Sequence, residues 1–144
     1  MAANRIYEWA QSQPDKAAII QNGIVFNYAA LARGIDASRQ FLQMQDLPAG
    51  KVAIVLARNI ADSWVIVHAL RSMGLTTIGV PNIATAHDLK IGNVACLVTT
   101  QSELSTTQLR ESDLKGLPLV IIPNATYAGI SSIRRVPPAP TRRY

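Results

Sequence analysis

The residues most able to do chemistry are few and widely separated. His68 lies in a long apolar stretch, and no partner for it stands at helical spacing. His87 is followed by Asp88, but adjacent side chains on a helix do not face one another, so we do not expect a His–Asp relay. The two histidines are too far apart in sequence to indicate a metal site by spacing. We therefore predict packed or surface histidines, with no catalytic residue and no metal ligand.

Cys96 is the single cysteine, so the chain has no disulfide framework and no paired thiols for a metal. It lies within the apolar run 94–98. A buried thiol of this kind is predicted to pack as a small hydrophobic residue, not to act as a nucleophile.

Two polar segments follow predicted strands. Arg58 and Asn59 come directly after an apolar run, and residues 99–102 (TTQS) come after another. Ligands of open α/β sheets collect at the carboxyl ends of the strands, which makes Arg58-Asn59 the best candidate for a ligand-facing position. The alternative is a loop arginine and a helix-capping asparagine, and capping is also the expected role of residues 99–102. We assign no cofactor-binding residue.

The elements that would position these residues centre on residues 51–80. Residues 52–56 are a continuous apolar run, typical of a strand covered on both faces. A helix is predicted over 60–73, with Asp62 in its first turn and Gly74 as a left-handed cap. It is apolar on nearly all sides, which predicts burial between layers. A second strand is predicted over 76–80.

Helices and strands alternate along the rest of the chain. Asn22-Gly23 separates two apolar runs, the strongest short signal for a hairpin. The pattern predicts an α/β fold, a mostly parallel sheet with helices on both faces, and an N-terminal β-hairpin giving it an antiparallel edge. The aromatic residues Tyr7, Trp9, Phe26 and Trp64 are predicted in the core. Further helices are predicted over 5–13, 28–45 after an Asn27 cap, 85–91 with Thr85 as cap, and 102–112, with strands over 17–21, 24–26, 94–98 and 119–122.

The net charge of +5 does not indicate nucleic-acid binding. All nine acidic residues precede Gly129, and four of the 14 basic residues are arginines in the tail beyond it, so the body is close to neutral. We predict an α/β unit over 1–123 and an irregular Pro/Arg-rich linker or tail over 124–144. No apolar run is long enough for a membrane span and no secretory signal is seen, so we expect a cytoplasmic protein without membrane partners.

Five segments, in this order and spacing, resemble the N-terminal end of the AMP-forming adenylating enzymes, in particular the acyl-CoA synthetases. The resemblance covers about residues 5–122. It rests on 5–10 (RIYEWA), 13–18 (QPDKAA), 26–31 (FNYAAL), 47–54 (LPAGKVAI) and 64–75 (WVIVHALRSMGL).

The resemblance implies an ATP-dependent carboxylate–CoA ligase in the full-length enzyme. A carboxylate attacks the α-phosphate of ATP with Mg²⁺, and CoA then takes the acyl group. The family's phosphate loop, adenine-contacting motif, ribose-binding aspartate and catalytic lysine are absent from this sequence. We therefore expect a truncated N-terminal scaffold subdomain, inactive alone, whose partner is the missing C-terminal portion of the ligase.

Two other functions stay open on the sequence. One is a stand-alone small-ligand or nucleotide-binding module with its crevice near Asn59, Asn82 and Thr100. The other is a non-enzymatic interaction domain that forms a homodimer through an exposed apolar face.

Overall fold

The computed structural model describes residues 2–21, 23–107 and 110–122. Helices and strands alternate along these residues, as the hydrophobic pattern predicts. The elements are α1 (Ala2–Ser12), β1 (Ala17–Gln21), β2 (Ile24–Asn27), α2 (Tyr28–Gln43), β3 (Val52–Leu56), α3 (Ile60–Ser72), β4 (Thr76–Gly79), α4 (Ile83–Asp88), β5 (Val94–Thr100), α5 (Gln101–Thr107), α6 (Glu111–Leu114) and β6 (Leu119–Ile122).

The main sheet is parallel, with strand order β4-β3-β5-β6. Because successive side chains on a strand point to opposite faces, each strand contributes to two cores. On β3, Ala53 and Val55 pack against α1, α2 and α3, whereas Ile54 and Leu56 pack with residues of α4 and α6. The predicted α/β class, with helices on both faces of a parallel sheet, is confirmed.

The N-terminal hairpin forms, with Gln21 opposite Ile24 across the predicted turn. Gly23 has φ +78°, the positive value that such a turn requires, and Asn22 lies outside the described residues. The hairpin is a separate two-stranded sheet, so it does not give the parallel sheet the antiparallel edge we predicted. The physical reason is burial: Ala18 and Ile19 pack into the core of the α1–α3 side and so hold the hairpin on the helical layer.

The central unit β3-α3-β4 lies where the sequence predicts it. Gly74 has φ +89°, and the amides of Gly74 and Leu75 donate to the carbonyls of Arg71 and Leu70, which is a Schellman ending. A side chain at Gly74 would be strained at this positive φ, and its Cβ would lie in a tight contact 3.1 Å from the Ala49 Cβ. The helix therefore stops at the predicted glycine.

Three predictions about local structure were wrong. The cap of α4 is Asn82, whose Oδ1 accepts from the Thr85 amide at 2.8 Å, so Thr85 lies inside the helix. The helix predicted over 102–112 is two shorter helices, because Arg110 has extended backbone angles. Trp64 is exposed, since it lies on the outer side of α3, so α3 is not buried on all sides. The tail predicted over 124–144 lies outside the described residues.

Candidate functional site

The carboxyl edge of the parallel sheet is the candidate site, and each of its strand-to-helix connections carries a polar cap. The Asn59 Oδ1 accepts from the Asp62 amide at 2.9 Å and starts α3. Asn82 does the same for α4, and the Thr100 hydroxyl accepts from the Glu103 amide at 3.1 Å in α5. These side chains satisfy amides that a helix start leaves unpaired. The capping interpretation of Asn59 and of residues 99–102 is therefore the one that the geometry supports.

Arg58 and Glu103 form an ion pair at this edge. The Glu103 side chain is only 7% exposed, and its Oε2 lies 2.7 Å from the Arg58 Nε. Its Oε1 accepts from the Arg58 backbone amide at 3.1 Å. One carboxylate thus fixes both the main chain and the side chain of Arg58, while half of the arginine side chain stays in contact with solvent. The arrangement holds the β3–α3 connection against α5.

Glu103 and Gln21 are two residues of this site that we did not predict from the sequence. Glu103 offered one signal, an acidic residue in the first turn of a helix that follows a strand. Gln21 offered none, because its partner is 40 residues away: its Oε1 accepts from the Ala61 amide at 3.1 Å. The Ser63 amide donates to the Asn59 carbonyl. Three consecutive backbone amides at the start of α3 therefore donate to acceptors within the protein. Few free donors remain there for an anionic ligand.

His68 is buried on α3, far along the helix from this edge. Its ring contacts Trp64 in an edge-on arrangement, with 5.7 Å between ring centroids. Burial and the nearby charge of Arg71 lower the pKa of His68 below its usual value of 6.5, so the ring is neutral at pH 7. The predicted packing role fits this environment.

His87 joins two helices on the other face of the sheet. Its Nε2 donates to the Asp113 carbonyl at 2.6 Å, which links α4 to α6. It lies beside a shallow hollow of about 370 Å³ whose walls include Lys90 and Lys115. Within the described residues no hydrogen bond joins the His87 ring to Asp88, and the histidine serves as a bridge between helices.

Cys96 is fully buried in β5. Burial raises the pKa of its thiol to about 11, because the thiolate would lose its hydration in an apolar core. The thiol is therefore protonated and unreactive at neutral pH, in agreement with its predicted structural role.

The polar groups at this edge position chain segments, through three helix caps and one ion pair. Within ranges 2–21, 23–107 and 110–122, no three His, Cys, Asp or Glu side chains come together as metal ligands would. In the same part of the chain, no helix is long and apolar enough to cross a membrane.

Comparison with known proteins gives matches in structure but not in sequence. No protein-family model and no curated protein matches the chain. It is similar to o-succinylbenzoate CoA synthetase (MenE) from Bacillus subtilis in complex with the acyl-adenylate intermediate OSB-AMP. The TM-score is 0.69 and the identity 17%, over 85% of this chain and 25% of that chain. The chain has the fold of a segment of adenylating enzymes.

Two further structures extend this similarity. One is the nonribosomal peptide synthetase FmoA3 in an AMPPNP-bound form, with a TM-score of 0.68 and 16% identity over 90% of this chain and 14% of that chain. The other is the N-terminal subdomain of NpsA from Klebsiella oxytoca in complex with anthranilyl-AMSN, with a TM-score of 0.60 and 21% identity over 67% and 27%. The resemblance predicted from the sequence is confirmed at the level of the fold. The chain spans about a quarter to a third of the length of the MenE structures.

Proposed function

We propose that this chain is the N-terminal scaffold subdomain of an AMP-forming carboxylate–CoA ligase. The observation that carries the proposal is the similarity of fold to a CoA synthetase over 85% of this chain. Another MenE structure with this similarity of fold is a complex with ATP and magnesium ion. In the proposed full-length enzyme, a carboxylate would attack the α-phosphate of ATP, and CoA would take the acyl group from the adenylate.

The residues of this chain would support that reaction without taking part in it. ATP with Mg²⁺ needs several oxygen ligands and phosphate-binding amides. The carboxyl edge of the sheet does not fit such a site, because the Glu103 carboxylate is paired with Arg58 and the first amides of α3 are already bonded. We infer that the groups that bind ATP, Mg²⁺ and CoA belong to the rest of the ligase, and that Arg58 and Glu103 shape one wall beside them.

The stand-alone binding module is the weaker alternative. Its proposed crevice near Asn59, Asn82 and Thr100 would need free polar groups, but each of these side chains caps a helix. On this proposal the chain is inactive alone, and its partner is the remaining portion of the ligase. The compartment would be the cytoplasm, where ATP and CoA are available and where a free thiol such as Cys96 stays reduced.

The test is carboxylate-dependent ATP–pyrophosphate exchange. The gene is read beyond the codon for Tyr144, and the longest product that carries this chain is purified beside the 144-residue chain. Both are assayed with a panel of aliphatic and aromatic carboxylates, followed by detection of CoA thioesters. We expect exchange and thioester formation from the longer product and none from the 144-residue chain.

Three results would contradict the proposal. One is exchange catalysed by the 144-residue chain alone, since the scaffold role requires groups from elsewhere. The second is a longer product that is folded but inactive with every carboxylate. The third is a stop codon directly after Tyr144, which would instead favour a module or a remnant.

A further inference from the structure

The hollow beside His87 combines an apolar floor with basic walls. Its volume is about 370 Å³, and its floor is part of the core on the α4–α6 side of the sheet, including Ile54 and Leu114. Lys90 and Lys115 are in its walls, and no aspartate or glutamate is among the wall residues that the structure describes. The size is at the lower end of the range for ligand pockets, and the polarity suits an anionic ligand with an apolar body.

Two helix-to-strand connections border the hollow. Lys90 is in the connection from α4 to β5, and Lys115 is in the connection from α6 to β6. The hydrogen bond from His87 to the Asp113 carbonyl, at 2.6 Å, holds the two helices together. Because both connections lead into the amino ends of parallel strands, the hollow lies at the end of the sheet opposite to the carboxyl edge. It is therefore separate from the candidate site described above.

The two lysines are exposed, and neither forms an ion pair with a described residue. Asp113 is close to Lys115 in sequence, but its Oδ2 already accepts from the Arg110 amide at 3.0 Å. Asp88 is close to Lys90 in sequence but is not a wall of the hollow. The two ammonium groups are therefore available to an anion that enters the hollow.

Both lysines have a left-handed backbone conformation, with φ of +50° at Lys90 and +53° at Lys115. The other positive-φ residues in the described chain, apart from glycines, are Asp46 and Asn93. Asparagine and aspartate tolerate this conformation, and glycine and asparagine are preferred after a helix, whereas a lysine there is strained. Such strain is concentrated at binding and active sites. The backbone does not explain two lysines at these positions, but a need for two ammonium groups at one hollow does.

We propose that the hollow beside His87 binds a small monocarboxylate with an apolar body. The carboxylate accepts charge-assisted hydrogen bonds from the ammonium groups of Lys90 and Lys115, and the apolar body covers the floor. An inorganic anion matches the hollow less well, because it gains nothing from the apolar floor. A neutral apolar molecule also matches it less well, because it leaves the two charges without a partner. This inference does not rest on the proposed function.

The test is titration of the isotope-labelled 144-residue chain at low salt, followed by NMR. Hexanoate and benzoate are the ligands. Hexanamide and benzamide are their neutral counterparts, and acetate and inorganic phosphate are anions with little or no apolar body. We expect hexanoate and benzoate to shift the backbone amide signals of residues 90–94 and 115–117 in a saturable way. The amides, acetate and phosphate should bind about tenfold more weakly, because each lacks one of the two kinds of contact.

Variants of the two lysines separate binding from stability. Lys90→Asn with Lys115→Asn removes both charges and suits the left-handed backbone, so the thermal midpoint should stay the same or rise. Hexanoate should bind about tenfold more weakly to this asparagine double variant. Lys90→Arg with Lys115→Arg keeps both charges and should keep binding. Arg5→Gln, on α1 at the other face of the sheet, is the control for loss of a surface charge and should bind as the wild type does.

Several results would overturn the proposal. One is the absence of saturable shifts at residues 90–94 and 115–117. Equal binding of benzamide would show an apolar contact only, and equal binding of acetate or phosphate would show a general attraction of anions. Unchanged hexanoate binding in the asparagine double variant would show that the lysines are not the binding groups. Where that variant does not fold, the comparison of each carboxylate with its amide in the wild-type chain decides the proposal.

Discussion

The two faces of the parallel sheet are covered very differently. One face packs against α1, α2 and α3, of 11, 16 and 13 residues. The other packs against short helices, of which α4 has six residues and α6 has four. The strands themselves are apolar on both faces, so the difference comes from the connections. Long helices can bury a complete stripe of side chains, whereas short ones cover a few residues each.

This asymmetry indicates where the domain holds itself together. The α1–α3 face contains fully buried large residues from helices and strands alike, such as Ile35, Leu70 and Val98. The opposite face includes the hollow beside His87, of about 370 Å³. We expect the stability of the chain to depend mainly on the first face.

The largest difference should come from matched leucine truncations on the two faces. Leu70→Ala removes a fully buried side chain among α2, α3 and the sheet, and should cost about 2–5 kcal/mol of unfolding free energy. Leu114→Ala, in the four-residue α6 beside the hollow, should cost clearly less because the site can relax. Urea unfolding of both variants measures the difference. Equal losses would mean that the two faces contribute alike.

The Arg58–Glu103 pair connects the two faces, since Arg58 precedes α3 while α5 places Leu104 against the opposite core. Arg58→Ala leaves the buried carboxylate with the backbone amide but without the guanidinium. Because solvent screens the half-exposed guanidinium, we expect the free energy of unfolding to fall by only about 1–3 kcal/mol. Arg58→Lys, which keeps the charge without the planar donors, should fall between wild type and alanine in urea unfolding. No loss on Arg58→Ala would show that the pair does not join the faces.

The asparagine caps offer a smaller and closely matched comparison. Asn59 starts the 13-residue α3 and Asn82 starts the six-residue α4, each by accepting an amide three residues on. Asn59→Ala should lower the free energy of unfolding by about 1 kcal/mol, because it removes the cap of α3. Asn82→Ala should cost less, because local loosening of α4 exposes little core. Native-state hydrogen exchange would locate the effect, and global destabilisation by Asn82→Ala would contradict the proposed asymmetry.

The smallest effect is the pH dependence that comes from His68. Its folded-state pKa lies below the usual 6.5, so the unfolded chain takes up a proton first as the pH falls. The contribution of His68 to the free energy of unfolding is fully present above about pH 6.5. Below that pH it decreases, by at most about 1.4 kcal/mol per pH unit. Unfolding at pH 7.5 and pH 5.5 measures it, with His68→Asn as the comparison. An equal loss in that variant would assign the pH dependence to other groups.

Much of the fold was predictable because its signals are local. The Asn27 and Asn59 caps, the Gly74 ending and the apolar strand runs each depend on residues a few positions apart. The buried stripe of α2, which includes Leu31, Ile35, Ser38 and Leu42, repeats at the spacing of a helix and is likewise a local pattern. The errors have equally local causes: Asn82 competes with Thr85 for the same helix start, and Arg110 interrupts an otherwise helical pattern.

The sequence by itself determined the α/β class and the order of the elements. Only the tertiary structure decided that Glu103 holds Arg58, that Gln21 bonds the first turn of α3, and that the hairpin packs on helices away from the sheet edges. The two hydrogen-bonded pairs are 45 and 40 residues apart along the chain. The pattern of a single segment cannot indicate such contacts, because they depend on which surfaces the packed core leaves next to one another.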